Sequence, residues 1–257
     1  ASNYVHTFSS NLLNEARFGY TRRAIARTAL LLATPPSQSL GLPGVPSNAA
    51  FNNELPSFVL SGFQSVSTSP TLGPPSSVDS QFRTDTVEIA DTVSWLRSRH
   101  AFKFGTDFRI FRLDVIQPPS PTGSFTFSTL FTDLNGVTGT GNALASFLTG
   151  AVQTFSIDLQ QKKLRQRAWF QEWFAQDTWK LTDRLTLNAG ARYTLNFPST
   201  EKDNQGAVFN FQTQQLDYLG QNGFRRSARK LLWGNVAPRV GLAYLLTQKT
   251  VIRSGYG

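Results

Sequence analysis

The chain alternates apolar and polar residues with a period of two, the repeat of a strand whose neighbouring side chains point to opposite faces. From 185 to 197 the odd positions are Leu185, Leu187, Ala189, Ala191, Tyr193, Leu195 and Phe197, and the even ones Thr186, Asn188, Gly190, Arg192, Thr194 and Asn196. At about 3.3 Å per residue such a strand is about 40 Å long, well beyond the usual length in soluble sheets and enough to cross a bilayer at a tilt. Ala16, Phe18 and Tyr20 oppose Glu15, Arg17, Gly19 and Thr21 in the same way. Phe102, Phe104, Phe108 and Ile110 oppose Lys103, Gly105, Asp107 and Arg109. Val236, Val240, Leu242, Tyr244 and Leu246 oppose Arg239, Gly241 and Ala243, with Leu245 an exception. Val87, Ile89, Val93 and Trp95 share a face spoiled by Asp91, and Trp169, Trp173, Trp179 and Leu181 one interrupted by Gln171 and Asp177.

These patterns predict about ten strands, approximately 2–8, 13–23, 82–97, 101–115, 123–129, 151–160, 167–181, 184–197, 234–247 and 250–257. Every second connection is tight: Ser9–Leu12, Ser98–His100, Thr182-Asp183 and Gln248-Lys249. The others are long, including Ala24–Gln81 and Pro198–Trp233. Short turns at one end and long loops at the other are the asymmetry of outer-membrane barrels, periplasmic against external. The connection Leu130–Gly150 falls on the short-turn side and breaks the rule. It contains Leu144, Phe147 and Leu148 at helical spacing, a short helix expected to pack beneath the barrel rim or against a plug. The 24–81 stretch, with Pro35-Pro36, Gly41-Leu42-Pro43-Gly44-Val45-Pro46 and Gly73-Pro74-Pro75, reads as a surface loop unable to supply a core.

The polar faces separate a membrane barrel from a soluble sandwich, which also alternates. They repeatedly set a small residue beside arginine, as in Arg17/Gly19, Gly105/Arg109, Gly190/Arg192, Arg239/Gly241 and Arg253/Gly255, which suits a polar lumen. The candidate lumen-facing residues are Glu15, Arg17, Lys103, Asp107, Arg109, Asn188, Arg192, Arg239 and Arg253; Leu187 and Ala191 would then meet lipid. Trp95, Trp169, Trp173 and Trp179 are the candidate aromatic girdle, where amphipathic rings sit at the two water–lipid boundaries.

Composition narrows the function classes. The chain has 257 residues and no Cys or Met, so it has neither a disulfide framework nor a thiolate site. The longest apolar run, Ala29–Ala33, is too short for a membrane-spanning helix. The strand-like pattern continues to Gly257, and the chain is expected to be a section of something longer. The net charge is +9, but the basic residues carry no helix-turn-helix or zinc-finger spacing, so nucleic acid is not an expected partner. They gather in three clusters: Arg22, Arg23 and Arg27; Lys162, Lys163, Arg165 and Arg167; Arg225, Arg226, Arg229 and Lys230. Turn lengths place all three on the outer side, where they are expected either to be solvated or to meet lipopolysaccharide phosphates or an anionic solute.

No elbow, metalloprotease or Walker pattern is present, so neither an enzyme nor a cofactor site is expected. The glycines of Gly136–Gly141 lack the lysine and strand–helix context of a phosphate loop and read as a flexible turn. Asp177 and Asp183 read as turn acids with no partner base, and His6 and His100 as polar residues at the periplasmic rim.

Several segments resemble a known family. Phe174-Ala175-Gln176-Asp177-Thr178-Trp179, leading through Leu181-Thr182-Asp183-Arg184 into Leu185–Tyr193, resembles a hairpin of TonB-dependent outer-membrane receptors. Ala237-Pro238-Arg239-Val240-Gly241 and Val251-Ile252-Arg253-Ser254-Gly255 are similar to the next hairpin of those barrels. Asn14–Tyr20 and His100–Asp107 resemble the Oar-like branch, whose members carry a carboxypeptidase-regulatory-like domain. The resemblance implies an all-β section, about ten strands, of a roughly 22-stranded antiparallel transmembrane barrel in the bacterial outer membrane. It also implies uptake of a large or scarce solute, with a plug and TonB as partners outside this chain; no TonB box, plug or regulatory domain lies within it. A non-transporting surface or adhesion barrel and a soluble carbohydrate-binding domain are the alternatives.

Overall fold

The alternating runs become long strands because β-branched and aromatic side chains on one face and polar ones on the other suit a pleated sheet with two different surroundings. The computed structural model describes residues 1–29, 39–42, 44–45, 51, 53–62, 71–75, 77–137, 139–158, 160 and 162–257. Pro35, Pro36, Pro43, Pro46 and Thr138, together with 30–33 of the apolar run, lie outside the described residues. In chain order the elements are β1 (Ser2–Ser9), β2 (Leu12–Arg27), β3 (Ser57–Leu60), β4 (Thr71–Leu72), β5 (Ser80–Arg97) and β6 (His100–Ile116). They continue with β7 (Ser124–Phe127), α1 (Ala143–Leu148), β8 (Thr154–Ser156), β9 (Leu164–Lys180) and β10 (Leu185–Asn196). The last are β11 (Thr200–Glu201), β12 (Ala207–Asn210), β13 (Gln215–Tyr218), β14 (Val236–Thr247) and β15 (Thr250–Tyr256).

The main sheet runs β1-β2-β5-β6-β9-β10-β14-β15, with β11 added against β9. The pairings β1–β2, β9–β10, β9–β11, β10–β14 and β14–β15 are antiparallel, and β1 and β15 are its edges. The hairpins β1–β2, β5–β6, β9–β10 and β14–β15 close with short turns. Ser98, at φ 54°, supplies the left-handed residue that a tight β5–β6 turn demands. The segments predicted at 123–129 and 151–160 are corrected: β7 and β8 do not join this sheet. They pair in a separate four-stranded one, β4-β3-β7-β8. The whole 117–163 stretch is therefore a single long connection between β6 and β9, and the alternation of short and long connections has no exception.

Two compact units divide the chain. The first holds Ala1–Arg23, Thr84–Leu113 and Arg165–Gly257, the second Ala24–Arg83 and Asp114–Leu164. The second unit overturns the reading of 24–81 as a stretch without a core. Leu60 of β3 is buried with Phe125, Phe127 and Ala143, and Leu42, Val45, Phe58, Leu144, Phe147 and Val152 pack against them. The rings interlock: Phe58 stacks on Phe125 at 5.5 Å between centroids, and Phe147 meets Phe127 edge-on at 5.1 Å. The proline-rich composition concealed this because the core rests on one four-residue strand, β3, paired parallel to β7 across the sequence. Gly73 (φ +88°), directly after β4, lets the chain lie close against the start of β3, since a Cβ there would collide with the Pro56 carbonyl.

Helix α1 forms where the spacing predicts it. Asn142 caps it, its Oδ1 accepting from the amides of Leu144 at 2.8 Å and Ala145 at 3.4 Å. Its expected position beneath a rim or plug is corrected, because its apolar side, with Ala143 and Phe147, packs into the core of β3 and β7. The same unit encloses Glu54, Asp79 and Ser80 almost completely. Burial pushes the Glu54 carboxyl up to about 9, with Asp79 beside it adding to the rise.

Candidate functional site

Strand register decides which side chains share a face. Across β9, β10 and β14, Gln176 lies opposite Gly190 and Gly190 opposite Arg239; one step along, Thr178, Asn188 and Gly241 form the next row. Gly241 then faces Gly255 and Ala243 faces Arg253 on β15. Asn188, Arg192, Arg239 and Arg253, singled out from parity alone, therefore stand on one continuous face. On β2, Glu15 and Arg17 share a face and lie 3.8 Å apart. On β6, Lys103, Asp107 and Arg109 share theirs with Gly105, where an added Cβ would run into the Phe174 ring of β9. The Arg109 guanidinium sits over the Phe170 ring at 5.5 Å, so the β6 and β9 parts of the polar face are continuous.

The carboxylates on this face are occupied. Arg109 holds Asp107 at 2.6 Å and Glu88 at 3.3 Å, and Arg192 lies 3.4 Å from Glu172. Glu88 and Glu172 were missing from the sequence-derived site. Parity was the available signal, but the even positions of β9 mix Phe170, Glu172, Phe174 and Gln176 and read as no particular face. Between β9, β10 and β14 the polar face dips into a hollow of about 280 Å³, lined in part by Phe174, Gln176, Asn188, Gly190, Arg192 and Arg239.

The opposite face is apolar and aromatic. Trp179 lies opposite Leu187, Ala175 opposite Ala191, and Trp173 opposite Tyr193, whose ring it stacks on at 5.9 Å. Three of the four candidate girdle residues lie towards the ends of their strands. Near the short turns, Trp95 lies 5.5 Å from Phe102, and Trp179 stacks on His100 at 5.1 Å. Towards the long connections, Trp169 meets Phe197 at 5.5 Å; Trp173, which meets Phe108 edge-on at 5.7 Å, stands near the middle of the strand rather than at an end. Ten residues from Trp169 to Trp179 span about 33 Å of strand, or about 25 Å of height at the usual tilt, the apolar band of an outer-membrane barrel.

Asp177 is corrected on one point: it has a partner. His100 Nδ1 lies 2.6 Å from Asp177 Oδ2, with the imidazole stacked between Trp179 and Phe102. This pair fills a polar gap in the apolar face, as Asn14 does for Asp91, donating to its carboxylate oxygens at 2.9 and 3.0 Å. Two of the exceptions in the alternation, Asp91 and Asp177, are thus paired side chains.

The basic clusters are largely engaged. Arg22 binds Asp85 at 2.6 Å. Arg165 and Arg226, from two different clusters, meet at one turn: Arg165 lies 3.6 Å from Asp203, and Arg226 donates to Asn204 Oδ1 at 2.9 Å and to the Glu201 and Lys202 carbonyls at 3.1 Å. Arg225 donates to the carbonyls of Ser227 and Ala228, and Arg167 to those of Gln166 and Leu113.

At the centre of that turn Glu201 accepts from the backbone N–H groups of Arg165 at 2.9 Å, Asp203 at 2.7 Å and Gln205 at 2.9 Å. Burial alone would raise this carboxyl, but these donors outweigh it and hold the group below its ordinary value. A carboxyl lowered on folding stabilises the turn above its unfolded value of about 4.5, and that contribution fades as pH falls through the lower folded value. Glu201→Ala should cost the 198–233 segment about 1–3 kcal/mol. Protease nicking of this segment should rise in the variant at neutral pH, and in the parent only as the pH approaches the folded value.

Comparison with known proteins decides the family. The model of the outer membrane beta-barrel domain family matches residues 1–257. The chain belongs to this family. Its members' setting makes this a protein of the bacterial outer membrane. No curated protein matches the chain. Among solved structures, a copper transporter named OprC is similar at 12% identity and a TM-score of 0.45, over 98% of this chain and 28% of that one. The chain thus spans under a third of that transporter's length.

Proposed function

We propose that the chain supplies wall and surface loops to a TonB-dependent outer-membrane transporter of the Oar-like branch, one that takes up a large or scarce solute. The two-sided sheet carries this reading. One face is ion-paired and arginine-rich; the other is apolar, with tryptophans near both ends of a band about 25 Å high. In this reading the short turns are periplasmic and 24–81 and 198–233 lie outside. Glu15, Arg17, Lys103, Asp107, Arg109, Asn188, Arg192, Arg239 and Arg253 line the lumen, and a plug moved by TonB opens the path. The unpaired edges β1 and β15 require further strands to close the wall.

Transport is tested by comparing spent medium from strains lacking the full-length gene, lacking tonB, or lacking both. The reading expects the same compound to be left behind in all three. A compound consumed normally without tonB but lost from uptake without this gene would exclude energy coupling. The folded core of the second unit favours one further reading, a surface protein that binds other cells through that unit. It predicts loss of adhesion, with uptake intact, when 57–60 and 124–127 are disrupted.

Lipopolysaccharide is the proposed partner of the basic residues least engaged by the turn at Glu201, namely Arg23, Arg27, Lys162, Arg229 and Lys230. Neutralising Lys162, Arg229 and Lys230 should lower the lipopolysaccharide that copurifies, most strongly at low salt. Unchanged retention would show these charges to be merely solvated.

A further inference from the structure

The polar face is not electrically uniform. Its carboxylates lie on the β2, β5, β6 and β9 side: Glu15, Glu88, Asp107 and Glu172, each within 4 Å of an arginine. Strands β10, β14 and β15 contain no acidic residue on either face, yet they carry Arg192, Arg239 and Arg253. Only Arg192 reaches a carboxylate, Glu172 across on β9. Arg239 has no ion pair among the described residues. It borders the hollow of about 280 Å³.

The other polar groups around the hollow offer donors. Thr178 Oγ1 donates to Asn188 Oδ1 at 2.8 Å, which engages the amide's oxygen and leaves Nδ2, 3.8 Å from where a Cβ on Gly241 would stand, as the donor beside the hollow. Gln176 adds a second amide on the neighbouring strand. Gly190, opposite Arg239 in register, and Gly241, opposite Asn188, keep the floor low between them. A concave patch with the unpaired Arg239, the Glu172-paired Arg192, two amides and no carboxylate on β14 is matched by a planar oxyanion, which arginine holds through a bidentate fork.

We propose that the Arg192–Arg239 hollow on the polar face is a binding station for a carboxylate-bearing anionic solute. This rests on the reading that the polar face lines the passage, and it names the chemical class that passage selects. Arg239 supplies the fork. Asn188 and Gln176 orient the second oxygen or a flanking hydroxyl. Arg192, tethered to Glu172, adds charge while its own position stays fixed. The same carboxylate chemistry could come from an acidic side chain elsewhere in the full-length protein, and the test separates the two sources.

The full-length protein in detergent is titrated with citrate as the probe, with neutral sucrose as control. Citrate should bind and sucrose should not. Arg239→Gln should weaken citrate binding at least tenfold, and Arg239→Lys less. Gly241→Leu, whose Cβ would meet Asn188 Cβ only at 3.6 Å, should fill the hollow and block citrate without unfolding the sheet. No citrate binding, or equal binding by the parent and Arg239→Gln, would overturn the proposal. So would a fall in thermal stability of Arg239→Gln with citrate binding unchanged, which would assign Arg239 to an internal ion pair. Labelling a cysteine at 241 with a membrane-impermeant maleimide keeps the two ideas apart. Labelling without citrate binding removes the station and leaves the lumen reading standing; protection from water, with contact to a lipid-borne quencher, removes the lumen reading itself.

Discussion

Replacing Phe127 with alanine should unfold the second unit locally, at a cost of about 3–5 kcal/mol, the usual range for emptying a buried aromatic site. Phe127 is 3% exposed, meets Phe147 edge-on at 5.1 Å and lies in a core whose fully buried apolar members are few. So small a core has little redundancy, and its strands are only two to four residues long. Hydrogen exchange in the full-length protein should show β3, β7, β8 and α1 losing protection together. The amides of β9, β10 and β14 should keep theirs, since their ladder is built from separate pairings. Unchanged protection in β3 and β7 would mean that the ring cluster contributes little to holding this unit together.

The second large effect depends on depth. Leu187 pairs with Trp179, placing it at the edge of the apolar band, whereas Ala191 pairs with Ala175, midway between Trp179 and Trp169. Arginine at 191 should therefore cost about 2–4 kcal/mol, and at 187 only about 0–1 kcal/mol. Arginine at 188, on the polar face, should fall at the low end as well. Reversible unfolding of the full-length protein in a bilayer measures the series. Equal costs at 187 and 191 would detach the tryptophans from the membrane boundaries.

How far the fold was legible followed the length of the signal. Long strands such as Leu185–Asn196 and His100–Ile116 announce themselves, because a period of two sustained over a dozen residues has no other structural explanation. Their boundaries came within a few residues, and the short turns followed from them. The four-stranded sheet was misread for the opposite reason. Ser57–Leu60 is too short to show a period, and Ser124–Phe127, read as a strand within 123–129, was given to the wrong sheet because its parallel pairing joins residues far apart in the sequence. Local composition carries no trace of such a contact. A stretch full of proline and serine concealed a core whose apolar residues arrive from two separate connections.

The candidate site divided along a similar line. Parity placed Asn188, Arg192, Arg239 and Arg253 correctly on one face because it is a property of the strand itself. Partners were invisible, since Glu172 and Arg192 meet only through the β9–β10 register, and Asp177 finds His100 on another hairpin. The basic clusters looked like a field of free charge, but Arg165 and Arg226 converge on the Glu201 turn by folding of the 198–233 connection. Runs of like charge disclose where cations sit in the sequence; only the fold discloses which of them have been taken by carbonyls and carboxylates.

The central claim is that β10 separates water from lipid residue by residue. The chain has no native cysteine, so single cysteines placed in turn from 187 to 192 in the full-length protein each report one position. Each would carry a spin label, read against a water-soluble and a lipid-soluble quencher in native outer membranes. The account predicts a strict alternation: 188, 190 and 192 quenched from water, and 187, 189 and 191 from lipid, with lipid quenching deepest at 191. Uniform quenching from water at all these positions, or an alternation of opposite phase, would contradict it.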